Sequence, residues 1–197
     1  MTYDNEVWPT VDVDDLWLYD KLILSKKLGY TCGPAGVEVP EPNTYIIRPI
    51  TNIEGMGQGA YADILIDKTT HLSPGYFWCE YFMGRHLSVD YTDGKQIFCA
   101  EGFGCIDFTK WFKWERATDI VSLPSILEPF VDKYPHMNCE FVGDKLIEVH
   151  LRHSSDFPPG VDVLYPVWEG DDATPPDGMK FIPNPDYKRL GFFIPID

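Results

Sequence analysis

Apolar and polar residues alternate on both sides of residue 143 and predict a β-hairpin, because successive strand side chains point to opposite faces. The turn falls at Gly143 and Asp144. The odd-numbered residues form the apolar faces, which are Met137, Cys139 and Phe141 in the first strand and Ile147, Val149 and Leu151 in the second. The opposite faces carry Asn138, Glu140 and Val142, and Leu146, Glu148, His150 and Arg152. Charged side chains at alternate strand positions beside a core need partners or a metal.

The length of this turn decides whether the two acidic faces meet. A two-residue turn places Glu140 opposite Ile147, whereas a three-residue loop places Glu140 opposite Glu148 and Asn138 opposite His150. The second register would gather the hard oxygen ligands that Mg²⁺ or Mn²⁺ requires. A solvated surface hairpin is the alternative interpretation.

The remaining hydrophobic pattern predicts a mixed α and β chain. Helices are predicted at 14–28 and 120–134, and strands at 11–13, 45–48, 76–89 with a turn at Gly84, 161–168 and 191–196. The last forty residues are rich in proline, glycine and aspartate, so we expect an extended segment with short strands there. The length of 197 residues is enough for one domain of ordinary size.

The composition opposes general binding to nucleic acid and to anionic membrane surfaces. The chain has 31 acidic and 16 basic side chains, which gives a formal charge of −15, and this charge repels nucleic acid and anionic membrane surfaces. Residues 107–116 interleave Lys110, Lys113 and Arg116 with aromatic residues. Stacking on single-stranded nucleic acid is one interpretation of that segment, and it predicts a steep salt dependence. A single short basic patch on an acidic chain favours the other interpretation, in which the aromatic residues belong to the core.

The cysteines and the absence of a long apolar run indicate an intracellular protein. The five cysteines are scattered, odd in number and without a C-x-x-C pair, so we expect reduced thiols. No stretch approaches membrane-spanning length. We expect a soluble protein of the cytoplasm.

Residues 140–152, E-F-V-G-D-K-L-I-E-V-H-L-R, resemble the last hairpin of the ATP-grasp enzymes. The resemblance implies that Glu140, Glu148 and His150 hold the metal ions that bridge the ATP phosphates, and that Arg152 contacts a phosphate. His150 stands where the family usually has asparagine. Imidazole favours softer metal ions than Mg²⁺.

Two earlier motifs resemble the phosphate-binding parts of the same family. Asp20-Lys21 is similar to a D-K pair that opens the nucleotide domain, and Y-I-I-R-P at 45–49 is similar to a strand that ends in Lys-Pro. The resemblance implies that Lys21 and Arg48 reach the ATP phosphates. The three glycines that follow can bring backbone N–H groups close to a triphosphate, and they are Gly55, Gly57 and Gly59.

Residues 76–91 resemble the hinge of the family, which receives the adenosine. The resemblance implies that Glu80, Tyr81 and Phe82 lie on the adenine side. His86 stands where a ribose-binding glutamate is usual.

The resemblance implies an α+β, ATP-grasp-like fold in which two mainly antiparallel sheet-bearing halves enclose a nucleotide cleft. We expect residues 1–157 to form the nucleotide-binding domain, without most of the usual N-terminal substrate domain. Residues 158–197 would be an extended Pro/Gly-rich C-terminal tail packed on it. The chain is also similar to uncharacterised proteins of tailed bacteriophages, which implies the cytoplasm of a host.

The resemblance implies an ATP-dependent carboxylate-amine ligase that acts through an acyl phosphate, with ATP and Mg²⁺ or Mn²⁺ as cofactors. Arg48 and Arg152 would be catalytic and neutralise the transferring phosphoryl group. The partners would be a nucleotide and carboxylate and amine substrates that the sequence does not identify. The alternative is a catalytically degenerate fold that binds a host or virion protein. We expect Glu140 and Glu148 to share an ion in the cleft that also contains Lys21 and Arg48.

Overall fold

The computed structural model describes residues 3–51, 57–154 and 156–196. In these ranges the chain forms two antiparallel sheets with few helices. The prediction of an α+β chain with two mainly antiparallel sheets is therefore confirmed.

The smaller sheet comes from the first half of the chain and has the strand order β1-β4-β2-β3. Its strands are β1 (Cys32–Pro34), β2 (Asn43–Pro49), β3 (Tyr61–Leu65) and β4 (Tyr76–Glu80). One face of this sheet packs a cluster around Tyr45, Ile47 and Trp78, and the other face buries Phe77 and Cys79 against Leu22. The second face is the one that turns towards the larger sheet.

The larger sheet has the strand order β11-β12-β10-β7-β6-β5-β8-β9. Its strands are β5 (His86–Thr92), β6 (Lys95–Ile106), β7 (Lys110–Arg116), β8 (His136–Val142), β9 (Lys145–His150), β10 (Val163–Trp168), β11 (Met179–Asp186) and β12 (Arg189–Pro195). Its main core lies between β5, β8, β9 and the N-terminal helices, where Val89, Cys139 and Val149 are almost fully buried. The opposite face of the same strands is free to carry polar side chains.

The N-terminal helices are shorter than the pattern predicts. They are α1 (Asp4–Val7), α2 (Lys21–Lys27) and 3₁₀-helices at Trp8–Thr10 and Val13–Tyr19. The single helix predicted at 14–28 is wrong, because Asp20 is extended (φ −87°, ψ 99°) and its side chain accepts a hydrogen bond from Ile23 N at 2.7 Å. Asp20 therefore caps a new helix. The strand predicted at 11–13 is also absent from this part of the structure.

The helix predicted at 120–134 is wrong as well. Only a 3₁₀-helix at Ser125–Phe130 forms there, with Pro124 before it and Pro129 inside it. Proline lacks the backbone N–H that a longer α-helix needs, which limits the helix to a single tight segment.

The C-terminal segment belongs to the larger sheet. The strands predicted at 161–168 and 191–196 overlap β10 and β12, and β11 was not predicted. β11 contains Pro183 and Pro185 and lies at the edge of the sheet, where a missing N–H is tolerated. Most of the segment predicted as an extended tail is thus paired strand.

The two sheets are joined by residues 81–85, between β4 and β5. Gly84 lies in this connection with φ 138°, and a Cβ on it would be 2.7 Å from the Gly143 Cα. Only glycine allows the connection to pass so close to the turn between β8 and β9. The predicted turn at Gly84 is therefore the crossing from one sheet to the other.

Candidate functional site

A cleft of about 570 Å³ lies between the two sheets. Ten of the residues predicted from the sequence line it, namely Lys21, Arg48, Gly57, Tyr81, Phe82, His86, Glu140, Glu148, His150 and Arg152. The structure therefore brings the separate motifs together in one place. Whether these residues bind a ligand stays a prediction.

The β8–β9 hairpin has the register that was predicted for a shared acidic face. Glu140 lies opposite Glu148, and Asn138 lies opposite His150. The predicted cause is wrong, because the turn is a two-residue turn that leaves Val142 opposite Lys145. A β-bulge next to Glu140 shifts the register instead.

The bulge also changes which residues of β9 face the core. Leu146 is buried with Val149 in the main core, whereas Ile147 lines the cleft. The prediction that Ile147 lies on the apolar face is therefore wrong, since the extra residue interrupts the alternation. The Ile147 carbonyl oxygen instead accepts a hydrogen bond from Arg48 Nη1 at 3.2 Å.

Arg48 is a buried cation for which the described residues provide no acidic partner. Its side chain leaves β2, is 8 % exposed, and lies over the Phe77 ring with 5.3 Å between the guanidinium carbon and the ring centroid. In the part of the chain that the structure describes, no carboxylate comes within ion-pair distance of it, and its Nε has no hydrogen-bond partner. A buried charge of this kind favours an anion beside it.

Lys21 and Glu148 form a buried ion pair at one wall of the cleft. The distance from Lys21 Nζ to Glu148 Oε1 is 2.9 Å. The Lys21 N–H donates to the Ile50 carbonyl oxygen at 2.9 Å, which fixes the start of α2 next to the end of β2. The same oxygen of Glu148 also faces His150, whose Nε2 lies 3.7 Å from Glu148 Oε1.

Glu140 contacts a histidine on the neighbouring strand. His86 Nε2 lies 3.3 Å from Glu140 Oε2. Burial alone would raise the pKa of Glu140, but the hydrogen bond and charge of His86, with the charges of His150 and Lys21, lower it to about 2. Glu140 is therefore ionised at neutral pH.

Asp4 holds both His150 and Arg152, and it was missed in the sequence. Its Oδ2 lies 2.7 Å from His150 Nδ1 and 2.7 Å from Arg152 Nη2, and the residue is 1 % exposed. Burial would raise the pKa of Asp4, but these two cations lower it. Burial would lower the pKa of His150, but the charge and hydrogen bond of Asp4 and the charge of Glu148 raise it.

These contacts limit how a metal ion would be held. Within residues 3–51, 57–154 and 156–196, no three His, Cys, Asp or Glu side chains are grouped as a metal site. Both ring nitrogens of His150 face carboxylates, and a protonated imidazole cannot ligate a metal. Glu140 and Glu148 remain a fitting pair, because Mg²⁺ is commonly held by one or two carboxylates together with substrate phosphates.

The predicted adenine-side residues divide into two groups. Tyr81 and Phe82 line the cleft, and the Tyr81 ring makes an edge contact with Phe108 at 6.4 Å between centroids. Glu80 lies outside the cleft, because its Oε1 accepts a hydrogen bond from Thr31 N at 2.8 Å. The structure therefore does not bring Glu80 to the other predicted residues.

The three predicted glycines also differ in position. Gly57 lines the cleft, and a Cβ on it would be 2.3 Å from the Phe108 carbonyl oxygen. Gly59 does not line the cleft and instead packs against the Tyr76 hydroxyl. Gly55 lies outside the described residues.

The basic and aromatic segment 107–116 forms part of the cleft wall. The rings of His86, Trp111 and Trp114 contact one another, with centroid distances of 4.7 Å from His86 to Trp111, 5.6 Å from His86 to Trp114 and 5.0 Å between the two tryptophans. Lys113 pairs with Glu115 at 2.6 Å, and Arg116 pairs with Asp162 at 3.4 Å. Carboxylates thus neutralise two of the cations on which the nucleic-acid interpretation depends.

Comparisons with known proteins give architectural likeness only. No family model matches the chain, and no curated protein matches it. Similar solved structures include an ATP-grasp superfamily protein from Archaeoglobus fulgidus, with 18% identity, a TM-score of 0.45, and coverage of 91% of this chain and 64% of that chain.

Two further similar structures are of ligases in complex with a nucleotide. The ligase PsnB, complexed with a minimal precursor, Mg and ADP, has 14% identity and a TM-score of 0.43, with coverage of 78% of this chain and 54% of that chain. D-alanine–D-alanine ligase from Bacillus anthracis, complexed with ATP, has 17% identity and a TM-score of 0.36, with coverage of 68% of this chain and 55% of that chain.

The chain spans less than two thirds of the length of each of these proteins. At these TM-scores the likenesses do not assign the chain to a family. Separately, none of the helices in the described ranges is long and apolar enough to cross a membrane.

Proposed function

We propose that the cleft binds Mg-ATP and that the protein is an ATP-dependent carboxylate-amine ligase. The observation that carries this proposal is Arg48, a buried cation that faces the cleft without a carboxylate partner among the described residues. A polyphosphate would supply the missing negative charge, and a guanidinium can hold phosphate oxygens through two hydrogen bonds.

Lys21 and Gly57 extend the same phosphate site. Lys21 lines the cleft from the first turn of α2, and Gly57 lines it from the loop before β3. The lysine would add a point charge, and the glycine would let backbone N–H groups approach a phosphate. Both features agree with the motifs recognised in the sequence.

The base of the nucleotide would lie on the aromatic side of the cleft. Tyr81 and Phe82 line this side, and the larger sheet contributes Phe108. Flat apolar rings of this kind accept a purine by stacking and apolar contact.

Glu140 and Glu148 would hold Mg²⁺ together with the phosphates. Both carboxylates lie on one face of the hairpin and line the cleft. The ion would neutralise charge on the phosphates and orient them. Lys21 would then share Glu148 with the ion. Ligation of a metal by His150 would require His150 to lose the proton that Asp4 and Glu148 stabilise.

The proposed reaction needs no nucleophilic side chain. A substrate carboxylate oxygen attacks the terminal phosphorus of ATP and ADP leaves, which gives an acyl phosphate. An amine then attacks the acyl carbon and phosphate leaves, which gives an amide. Arg48 would neutralise charge on the transferring phosphoryl group. The same role for Arg152 requires its guanidinium to exchange Asp4 for phosphate.

A second candidate function is a catalytically degenerate fold that binds a host or virion protein. It is favoured by the ion pairs that already satisfy both acidic residues, because Lys21 pairs with Glu148 and His86 pairs with Glu140. The charge of −15 suits a basic partner. A bacteriophage origin and a host cytoplasmic location stay predictions from the sequence.

Calorimetric titration of the full chain with ATP, with and without Mg²⁺, tests the proposed function. We expect saturable binding that requires Mg²⁺ and is weakened in Arg48→Ala. Release of ADP with a panel of amino acids and peptides tests catalysis, and Glu148→Gln should abolish it. The ligase proposal fails if nucleotide does not bind to the folded protein. Binding without turnover on any acceptor, together with co-purification of a single partner protein, would favour the degenerate fold.

A further inference from the structure

Two cysteines lie directly opposite each other in the smaller sheet. Cys32 on β1 pairs with Cys79 on β4, and directly opposed residues of an antiparallel pair point to the same face. The neighbouring backbone bonds run from Glu80 N to Thr31 O at 2.9 Å and from Ala35 N to Tyr76 O at 3.0 Å. These bonds identify Cys32 and Cys79 as a non-hydrogen-bonded pair, in which the Cα atoms approach to about 4.5 Å. That distance is within the range of disulfides, roughly 4.4–6.8 Å.

The two thiols differ in accessibility. Both are free, and Cys32 is half-buried on the edge strand whereas Cys79 is fully buried. The hydrogen bond with the Cys79 side chain lowers the pKa of the Cys32 thiol, and the positive charges of Lys26 and Arg48 lower it further. Burial of Cys32 acts in the opposite direction. The same hydrogen bond and burial raise the pKa of Cys79. Cys32 is therefore suited to react first.

We propose that Cys32 and Cys79 form a redox-active dithiol, which a hydroperoxide converts into a disulfide between β1 and β4. The Cys32 thiolate attacks the peroxide oxygen, the O–O bond breaks, and the product is a sulfenic acid with release of water or alcohol. The Cys79 sulfur then attacks the Cys32 sulfur, and the sulfenic oxygen leaves as water with the thiol proton. The two cysteines lose two electrons, which reduce the peroxide.

The remaining cysteines supply internal controls. Cys99 on β6 and Cys139 on β8 both pair with Val89 of β5. They are therefore two strand spacings apart, about 9–10 Å, and cannot form a bridge without backbone movement. Cys105 is exposed, so it reports general thiol oxidation that does not depend on a partner.

The experiment treats the folded full chain with hydrogen peroxide, blocks the remaining thiols with an alkylating reagent, and measures the intact mass. We expect a loss of two hydrogen atoms per chain, a cross-linked peptide that contains Cys32 and Cys79, and full reversal by dithiothreitol. Cys32→Ser should remove the cross-link. Cys105→Ser should leave it unchanged, and Cys139→Ala should leave it unchanged as well.

The proposal is overturned if the wild-type chain gains only oxygen, or if Cys105 is the cross-linked residue. It is equally overturned if both cysteines of the pair remain alkylatable after peroxide treatment while Cys105 is oxidised. Because Cys32 is on a short edge strand, Cys32→Ser should stay folded, and its circular dichroism spectrum checks this. If it does not fold, the cross-linked peptide in Cys105→Ser alone decides the outcome.

Discussion

The Lys21 ammonium group lies 2.9 Å from the Glu148 carboxylate, and the two side chains are 6% and 14% exposed. The sequence resemblance assigns Lys21 to phosphate and Glu148 to a metal, yet the two side chains neutralise each other at one wall of the cleft. Their pairing joins α2 to β9, and thus holds the N-terminal helices to the acidic hairpin. If the proposed Mg-ATP binds, the Lys21–Glu148 pair would be replaced by a contact of Lys21 with a phosphate and a contact of Glu148 with the metal ion.

Removal of this cation should destabilise the fold. In Lys21→Met, Glu148 loses its nearest positive charge while it stays buried, and the free energy of unfolding should fall by about 3 kcal/mol. Urea unfolding followed by fluorescence measures this change. Lys145→Met is the matched control, because Lys145 pairs with Asp144 at 3.2 Å on the surface and both side chains are well exposed. Equal losses in the two variants would mean that Lys21–Glu148 behaves as a surface pair.

The Asp4–His150 pair should make stability depend on pH. The pKa of His150 is raised above its ordinary value of 6.5, so its contribution is complete below pH 6.5 and is lost as the pH rises through the raised pKa. The pKa of Asp4 is lowered from 3.8, so its contribution is present above pH 3.8 and is lost as the pH falls through the lowered pKa. The pair should therefore stabilise the fold most between these two ordinary values.

Unfolding free energies measured between pH 5 and 9 test this dependence. Above about pH 6.5, stability should fall by at most about 1.4 kcal/mol per pH unit, the limit for one proton. His150→Gln should remove that slope, and Asp4→Asn should reduce it. His71→Gln is the control, because His71 is exposed. A slope that survives in His150→Gln would assign the dependence to another group.

Alternation near residue 140 was sufficient to predict the hairpin, whereas the shared face of Glu140 and Glu148 was predicted from a three-residue loop that does not form. Alternation could not predict the bulge at Ile147, because the local sequence of apolar and polar residues is equally compatible with a regular strand that has no extra residue. The partner of the Ile147 carbonyl is Arg48, which is 99 residues away in the sequence. The bulged residue of β9 therefore takes part in a long-range contact that local periodicity does not encode.

Asp4 and the C-terminal strands show the same limit. Asp4 lies among other acidic residues near the N-terminus, and nothing local distinguishes it from a solvated one; its partner His150 is 146 residues away. In β11, Pro183 and Pro185 break the strand pattern, and only the edge position makes them acceptable. In contrast, Pro124 and Pro129 are a local sequence signal that argues against the α-helix predicted at 120–134.

Gly84→Ala should destabilise the connection between the sheets. The φ of 138° is unfavourable for alanine, and its Cβ would be 2.7 Å from the backbone of Gly143. We expect the free energy of unfolding to fall by more than the roughly 1–3 kcal/mol of backbone strain alone. Gly36→Ala is the matched control, because Gly36 has φ 92° with no atom within 4 Å of a Cβ. Thermal unfolding compares the two, and similar losses would show that the contact with Gly143 adds nothing to the strain.

Arg48→Gln should separate binding from stability. No carboxylate in the described residues pairs with Arg48, so its removal leaves no buried acid of that part of the chain without a partner. The free energy of unfolding should therefore fall by only about 1 kcal/mol, which is the contribution of the hydrogen bond to the Ile147 carbonyl oxygen. The affinity for Mg-ATP should fall about tenfold to a hundredfold, as expected for one charged hydrogen-bonding group. Arg48→Lys should retain part of the affinity, since it keeps the charge. Titration calorimetry measures both, with Arg116→Gln as the control on an exposed arginine. Unchanged affinity in a folded Arg48→Gln variant would place the phosphates elsewhere in the cleft.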